Sequence, residues 1–145
     1  MGNAGITEYL TSDHRGIDEL FEQAQKRVRD GQAALAREPF EKFAARLGRH
    51  IRLEEEVVFP LFEARTRIAG PAQVMRREHR LLEAHLEQAR LALASEDLPR
   101  FVAAAASLGA LLGEHNMKEE RIVYPKTDQA LGEERIQLAA ELKEA

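Results

Sequence analysis

One short stretch occurs twice in this chain, and it limits what the chain can fold into. His50 through Pro60 reads H-x-x-x-E-E-x-V-V-F-P, and His115 through Pro125 reads H-x-x-x-E-E-x-I-V-Y-P. Each copy sets an imidazole four residues before a carboxylate, ahead of an apolar run that ends in proline. On a helix, residues i and i+4 share a face, so each copy offers one nitrogen and one oxygen donor in one direction. Two such faces turned toward each other would form a metal site.

The copies lie 65 residues apart, and the same offset joins Asp13-His14-Arg15 to Glu78-His79-Arg80 and Glu22-Gln23-Ala24 to Glu87-Gln88-Ala89. This reads as an internal two-fold repeat, with units at about residues 12–66 and 77–131 of one domain spanning 1–145. A duplicated helical hairpin packs with pseudo-two-fold symmetry and brings equivalent groups to the axis.

Apolar residues recur at helical spacing along the chain. Thr7 or Ser12 is a candidate cap for a first helix carrying Ile17, Leu20, Phe21, Ala24 and Val28 on one stripe. Gly31 to Glu38 reads as a connection, and Pro39 as the opening of a second helix carrying Phe40, Phe43, Leu47, His50 and Glu54. Pro60 kinks or ends that helix, and Ala69-Gly70-Pro71 marks the clearest break. The third helix has Val74, Met75, Leu82, Leu86 and Leu93 as core candidates. The fourth opens at Asp97-Leu98-Pro99 and is rich in small residues at Ala103 to Ala106, which permits close helix approach. A short last helix between Gly132 and Leu142 offers Ile136, Leu138, Ala139 and Leu142 as apolar positions. Short connections make neighbouring helices antiparallel. The expected fold is therefore all-α: an up-down-up-down four-helix bundle with a short C-terminal fifth helix.

His14 precedes the first connection by about as much as His50 and Glu54 follow it. At ~1.5 Å per residue, antiparallel helices hold all three at one height. His79, His115 and Glu119 are related in the same way. The metal candidates are thus His14, His50, Glu54, His79, His115 and Glu119, arranged as a dinuclear site with two nitrogens per metal and bridging carboxylates. Four of the five histidines fall into this pattern, and burying them without partners would be costly.

Other groups carry weaker signals. Glu83, four residues after His79, and its repeat mate Asp18, four after His14, are candidates for extra ligands or for acceptors that orient an imidazole; ordinary surface charge is the alternative. Glu55, Glu56 and Glu120 adjoin the candidates but point around the helix, and read as solvated charge. Phe59 and Tyr124 read as core aromatics closing the end of the site, with the tyrosine hydroxyl an optional outer donor or oxidisable group.

Composition narrows the chemistry. With no cysteine there is no thiolate ligand or nucleophile, so a metal must be held by nitrogen and oxygen, a set that suits iron, manganese or zinc. The net charge of -4, with both signs interspersed, argues against a nucleic-acid partner. Neither a leader-like N-terminus nor an apolar run of membrane-spanning length is evident, so the expectation is a cytoplasmic protein without a membrane partner.

The order H … HxxxE … H … HxxxE resembles the hemerythrin-like family, the HHE cation-binding domain. Asp13-His14, His50 through Pro60, Glu78-His79 and His115 through Pro125 carry the match. The resemblance implies two iron ions bridged by the two glutamates and an oxo or hydroxo group, with O₂, peroxide or nitric oxide as small ligands. The oxygen-carrying hemerythrins differ: they have a further histidine where this chain has Glu83, and H-x-x-x-x-D on the fourth helix. This nearly symmetric set resembles bacterial HHE proteins and iron-sensing hemerythrin-like domains. The implied function is sensing, binding or handling of O₂ and related oxidants. Alternatives are a di-iron enzyme breaking down peroxide or nitric oxide, and an iron-responsive regulatory or interaction module.

Overall fold

A computed structural model describes residues 5–145. Among them there is no strand. Helix α1 spans Ile6–Arg29, α2 Ala33–Leu53, α3 Phe59–Thr66, α4 Gly70–Ala94, α5 Leu98–Lys118, α6 Tyr124–Leu131 and α7 Glu134–Glu144. Between α2 and α3, and again between α5 and α6, the chain stays helical through a π-turn, at Glu54–Val58 and Glu119–Val123. The result is a four-helix bundle: α1, α2–α3, α4 and α5–α6 are its legs, and α7 packs back against α1 and α6.

Each π-turn begins at a candidate glutamate, in repeat-equivalent places. The N–H of Phe59 reaches back five residues to the Glu54 carbonyl, and that of Tyr124 to the Glu119 carbonyl. Pro60 and Pro125 follow directly; a proline withholds its N–H and crowds the preceding turn, which favours a local widening over a regular α-turn. The helix survives both prolines, and α3 ends only at Arg67, whose φ of 59° is left-handed.

Two helix starts differ from the sequence expectation. Neither Thr7 nor Ser12 caps α1. Asp128 does so from α6, accepting from the N–H groups of Ile6 at 2.9 Å and Thr7 at 3.0 Å, and from the Thr7 hydroxyl at 2.6 Å. Helix α2 begins at Ala33 rather than at Pro39, so most of the expected connection is helical. The N–H that Pro39 withholds would have served the carbonyl of Leu35, an exposed residue, while Ala36 and Phe40 are fully buried. Asp97 caps α5 as expected, accepting from the N–H of Arg100.

The interior has two apolar clusters with a polar layer between them. One holds Ile17, Phe21, Phe40, Phe43, Leu47, Leu82, Leu86, Phe101, Leu108 and Leu112. Its rings interlock, with Phe21 and Phe43 stacked at 4.5 Å between centroids. The other gathers Ile6, Leu10, Val58, Phe59, Phe62, Met75, Val123, Tyr124, Ala139 and Leu142. In the alanine-rich stretch Ala103–Ala106, Ala105 is buried in the first of these clusters and Ala104 packs against it, while Ala103 and Ala106 face outward. Ile136, expected as an apolar position of the last helix, is exposed on α7.

Candidate metal centre

His14, His50, Glu54, His79, His115 and Glu119 are all buried, and they meet in the layer between the two apolar clusters. Packing of α1 against α2 and of α4 against α5 sets them at one height. They form two groups with both glutamates in common: His14 and His50 with Glu54 and Glu119, and His79 and His115 with the same pair.

Each glutamate divides its two oxygens between the groups. Glu54 places Oε2 3.3 Å from His50 Nε2 and Oε1 3.0 Å from His79 Nε2. Glu119 places Oε1 3.2 Å from His14 Nε2 and Oε2 3.1 Å from His115 Nε2. Two metal bonds of about 2.0–2.2 Å meeting near a right angle put their donor atoms about 3 Å apart, so these spacings suit donors that share an ion. Glu119 Oε2 is buried and makes no hydrogen bond, a costly condition that a cation would relieve. The donor set fits a pair of bridged cations.

All four imidazoles turn Nε2 inward and Nδ1 toward a carboxylate. His14 Nδ1 lies 2.7 Å from Glu120 and His79 Nδ1 2.7 Å from Glu55. His50 Nδ1 lies 2.7 Å from Asp13 and His115 Nδ1 2.8 Å from Glu78. The pairs obey the repeat offset. In the neutral ring each carboxylate draws the proton to Nδ1, which leaves Nε2 to face a cation. Glu55 and Glu120 are therefore not solvated charges; each follows a clustered glutamate by one residue, is turned round the helix from it, and meets a histidine of the adjacent leg. Glu56 is exposed, as expected. Cations hold the outer carboxylates in turn: Arg15 on Glu120, Arg80 on Glu55, Arg46 on Asp13 and Lys118 on Glu78.

Glu83 and Asp18 are outside this cluster. Glu83 is exposed and pairs with Arg80 at 3.0 Å, and Asp18 is exposed on α1.

Tyr124 differs from expectation in the other direction. It is fully buried, and its hydroxyl enters the centre rather than only closing it. The oxygen is 3.1 Å from His14 Nε2, 3.1 Å from His50 Nε2 and 2.9 Å from Glu119 Oε1, and it donates to Glu54 Oε2. Its repeat mate Phe59 stacks on His79 at 5.4 Å, much as Tyr124 lies 5.7 Å from His14, but carries no donor.

The charges are strongly coupled. Burial pulls His50 down, yet Glu54 and Asp13 outweigh it and hold the imidazole up at about 10. His115 is held at about 9, with burial opposed by Glu119 and Glu78. Burial raises Glu54, but His50 and His79 bring it well below the usual carboxylate range. Tyr124 is pushed well above a normal phenol by burial and by the Glu119 and Glu54 carboxylates.

No helix among the described residues is long and apolar enough to cross a membrane. No curated protein and no solved structure matches the chain. The hemerythrin HHE cation binding domain family does match, over residues 5–127, a span that contains all six clustered residues and all four outer carboxylates. The chain belongs to the hemerythrin HHE cation-binding family.

Proposed function

We propose that this chain binds two iron ions and uses them to sense, bind or handle O₂ and related small oxidants. The observation that carries the reading is the division of Glu54 and Glu119, each of which gives one oxygen to each histidine pair. A buried carboxylate so placed would serve two cations at once. His14 and His50 would hold one ion, and His79 and His115 the other.

Iron, held by imidazole and carboxylate, would supply one-electron redox chemistry toward a small oxidant. The chain's own part is structural and electrostatic. The outer carboxylates fix each imidazole's tautomer and orientation. The apolar clusters on either side of the layer keep bulk water from the donors. The two bridging carboxylates offset much of the cationic charge that would otherwise be unpaired in the interior.

Anaerobic loading with Fe(II), removal of loose metal and elemental analysis test the reading. Two irons per chain are expected, with an absorption change on admitting air or nitric oxide. Protein that retains fewer than two irons per chain would sink it. Loaded protein inert to O₂, peroxide and nitric oxide would leave metal storage as its function and overturn the oxidant assignment.

A further inference from the structure

We propose that the Tyr124 hydroxyl is a protein ligand of the metal held by His14 and His50, so the more open metal position lies at His79 and His115. This rests on the two-metal reading above and adds an inequivalence that the repeated sequence does not show.

A hydroxyl has one proton to donate and two lone pairs to accept with, so it makes at most three hydrogen bonds. The Tyr124 oxygen has four polar neighbours: His14 Nε2, His50 Nε2, Glu119 Oε1 and Glu54 Oε2. These four atoms are the complete donor set of one half of the centre. Three of them lie 2.9–3.1 Å from the phenol oxygen. That is the same spacing the two imidazole nitrogens keep from each other, 3.1 Å. The hydroxyl is thus placed as one more member of the set, at the edge length expected of ligands on a common ion.

Among the described residues the other half has nothing equivalent. Phe59 holds the matching place against His79, is fully buried, and presents only carbon. The His14–His50 half therefore has five protein donors, and the His79–His115 half four. The latter keeps more room for an exogenous ligand, beside an apolar ring that suits a small nonpolar diatomic better than water. When metal binds, the phenol O–H bond breaks and its electron pair becomes the oxygen–metal bond. The proton leaves to solvent with those shed by the imidazoles.

The test uses the full chain, loaded anaerobically with Fe(II) and then exposed to air. Tyrosine occurs only at positions 9 and 124, so Tyr9→Phe leaves a single tyrosine. Tyr9 meets Arg49 at 3.2 Å, away from the centre. Expected is a visible phenolate-to-Fe(III) charge-transfer band in native protein and in Tyr9→Phe. Its resonance-Raman ring modes should shift when tyrosine is ring-deuterated. The band should be lost in Tyr124→Phe while two irons per chain remain. Two irons per chain without a phenolate band, or a band that survives Tyr124→Phe, overturns the tyrosine ligand and leaves the two-metal reading standing. Failure of native protein to hold two irons overturns both. If Tyr124→Phe does not fold, labelled Tyr9→Phe still decides, because only Tyr124 remains to give the signal.

Discussion

The Nδ1 atom of His50, on α2, lies 2.7 Å from a carboxylate oxygen of Asp13, on α1. Asp13 is itself held by Arg46 at 2.9 Å. The Asp13 carboxyl sits below its usual range: burial raises it, and His50 and Arg46 more than reverse that. Asp13 touches no inward-facing donor atom, so its effect on metal must pass through the imidazole.

Removing that orienting group should weaken metal binding. Asp13→Ala is expected to lower metal affinity about 10–100-fold, the usual effect of losing a carboxylate behind a histidine ligand. Chelator competition measures it. Glu83→Ala, at an exposed ion pair, should leave the same titration unchanged.

The metal-free protein should lose stability as pH rises. His50 is held at about 10 and His115 at about 9, above the roughly 6.5 of an unfolded imidazole. The folded state then keeps its protons to higher pH than the unfolded state. The resulting stability is complete below about 6.5 and is lost as pH climbs through those folded values. Thermal melts after chelation, between pH 6.5 and 10, should show a falling midpoint; a rising one contradicts this. Metal affinity should move the opposite way, because binding must displace the same protons.

Asp128→Ala should destabilise the fold without emptying the centre. Among the described residues it removes the only side chain that accepts from the first N–H groups of α1. A cost of ~1–2 kcal/mol is expected by denaturant titration. The metal content of folded protein after Fe(II) loading should match that of the unsubstituted chain.

Phe43→Ala tests the apolar cluster on one side of the polar layer. The ring is fully buried, stacked on Phe21 and close to Phe40. The truncation should cost ~3–5 kcal/mol, from lost transfer energy and the cavity left behind. A loss below about 1 kcal/mol would mean that the surrounding phenylalanines collapse into the space.

The repeated HxxxEE stretch and the 65-residue offset make the six clustered residues legible in the sequence. Local helical geometry is enough for that, since it places His50 over Glu54 and His115 over Glu119. The sequence does not show the role of Glu55 and Glu120, because their partners, His79 and His14, come from the other repeat unit. Asp13 and Glu78 carried a usable signal: each precedes a clustered histidine at the shared offset. Glu83 and Asp18 illustrate the reverse case, where i+4 spacing held along the helix but the residue lies outside the buried layer.

The place of the Tyr124 hydroxyl does not follow from the sequence pattern. Five residues along an α-helix span about 140° of rotation, which turns Tyr124 away from Glu119. The wider π-turn at Glu119–Val123 brings the two onto one face. By itself the sequence determined an all-helical bundle and the six residues that meet inside it, because these follow from periodicity and spacing. Tertiary structure decided which carboxylate holds which imidazole, and which half of the centre receives the phenol. Those outcomes depend on how separate helices pack and on a local departure from the α-helical period.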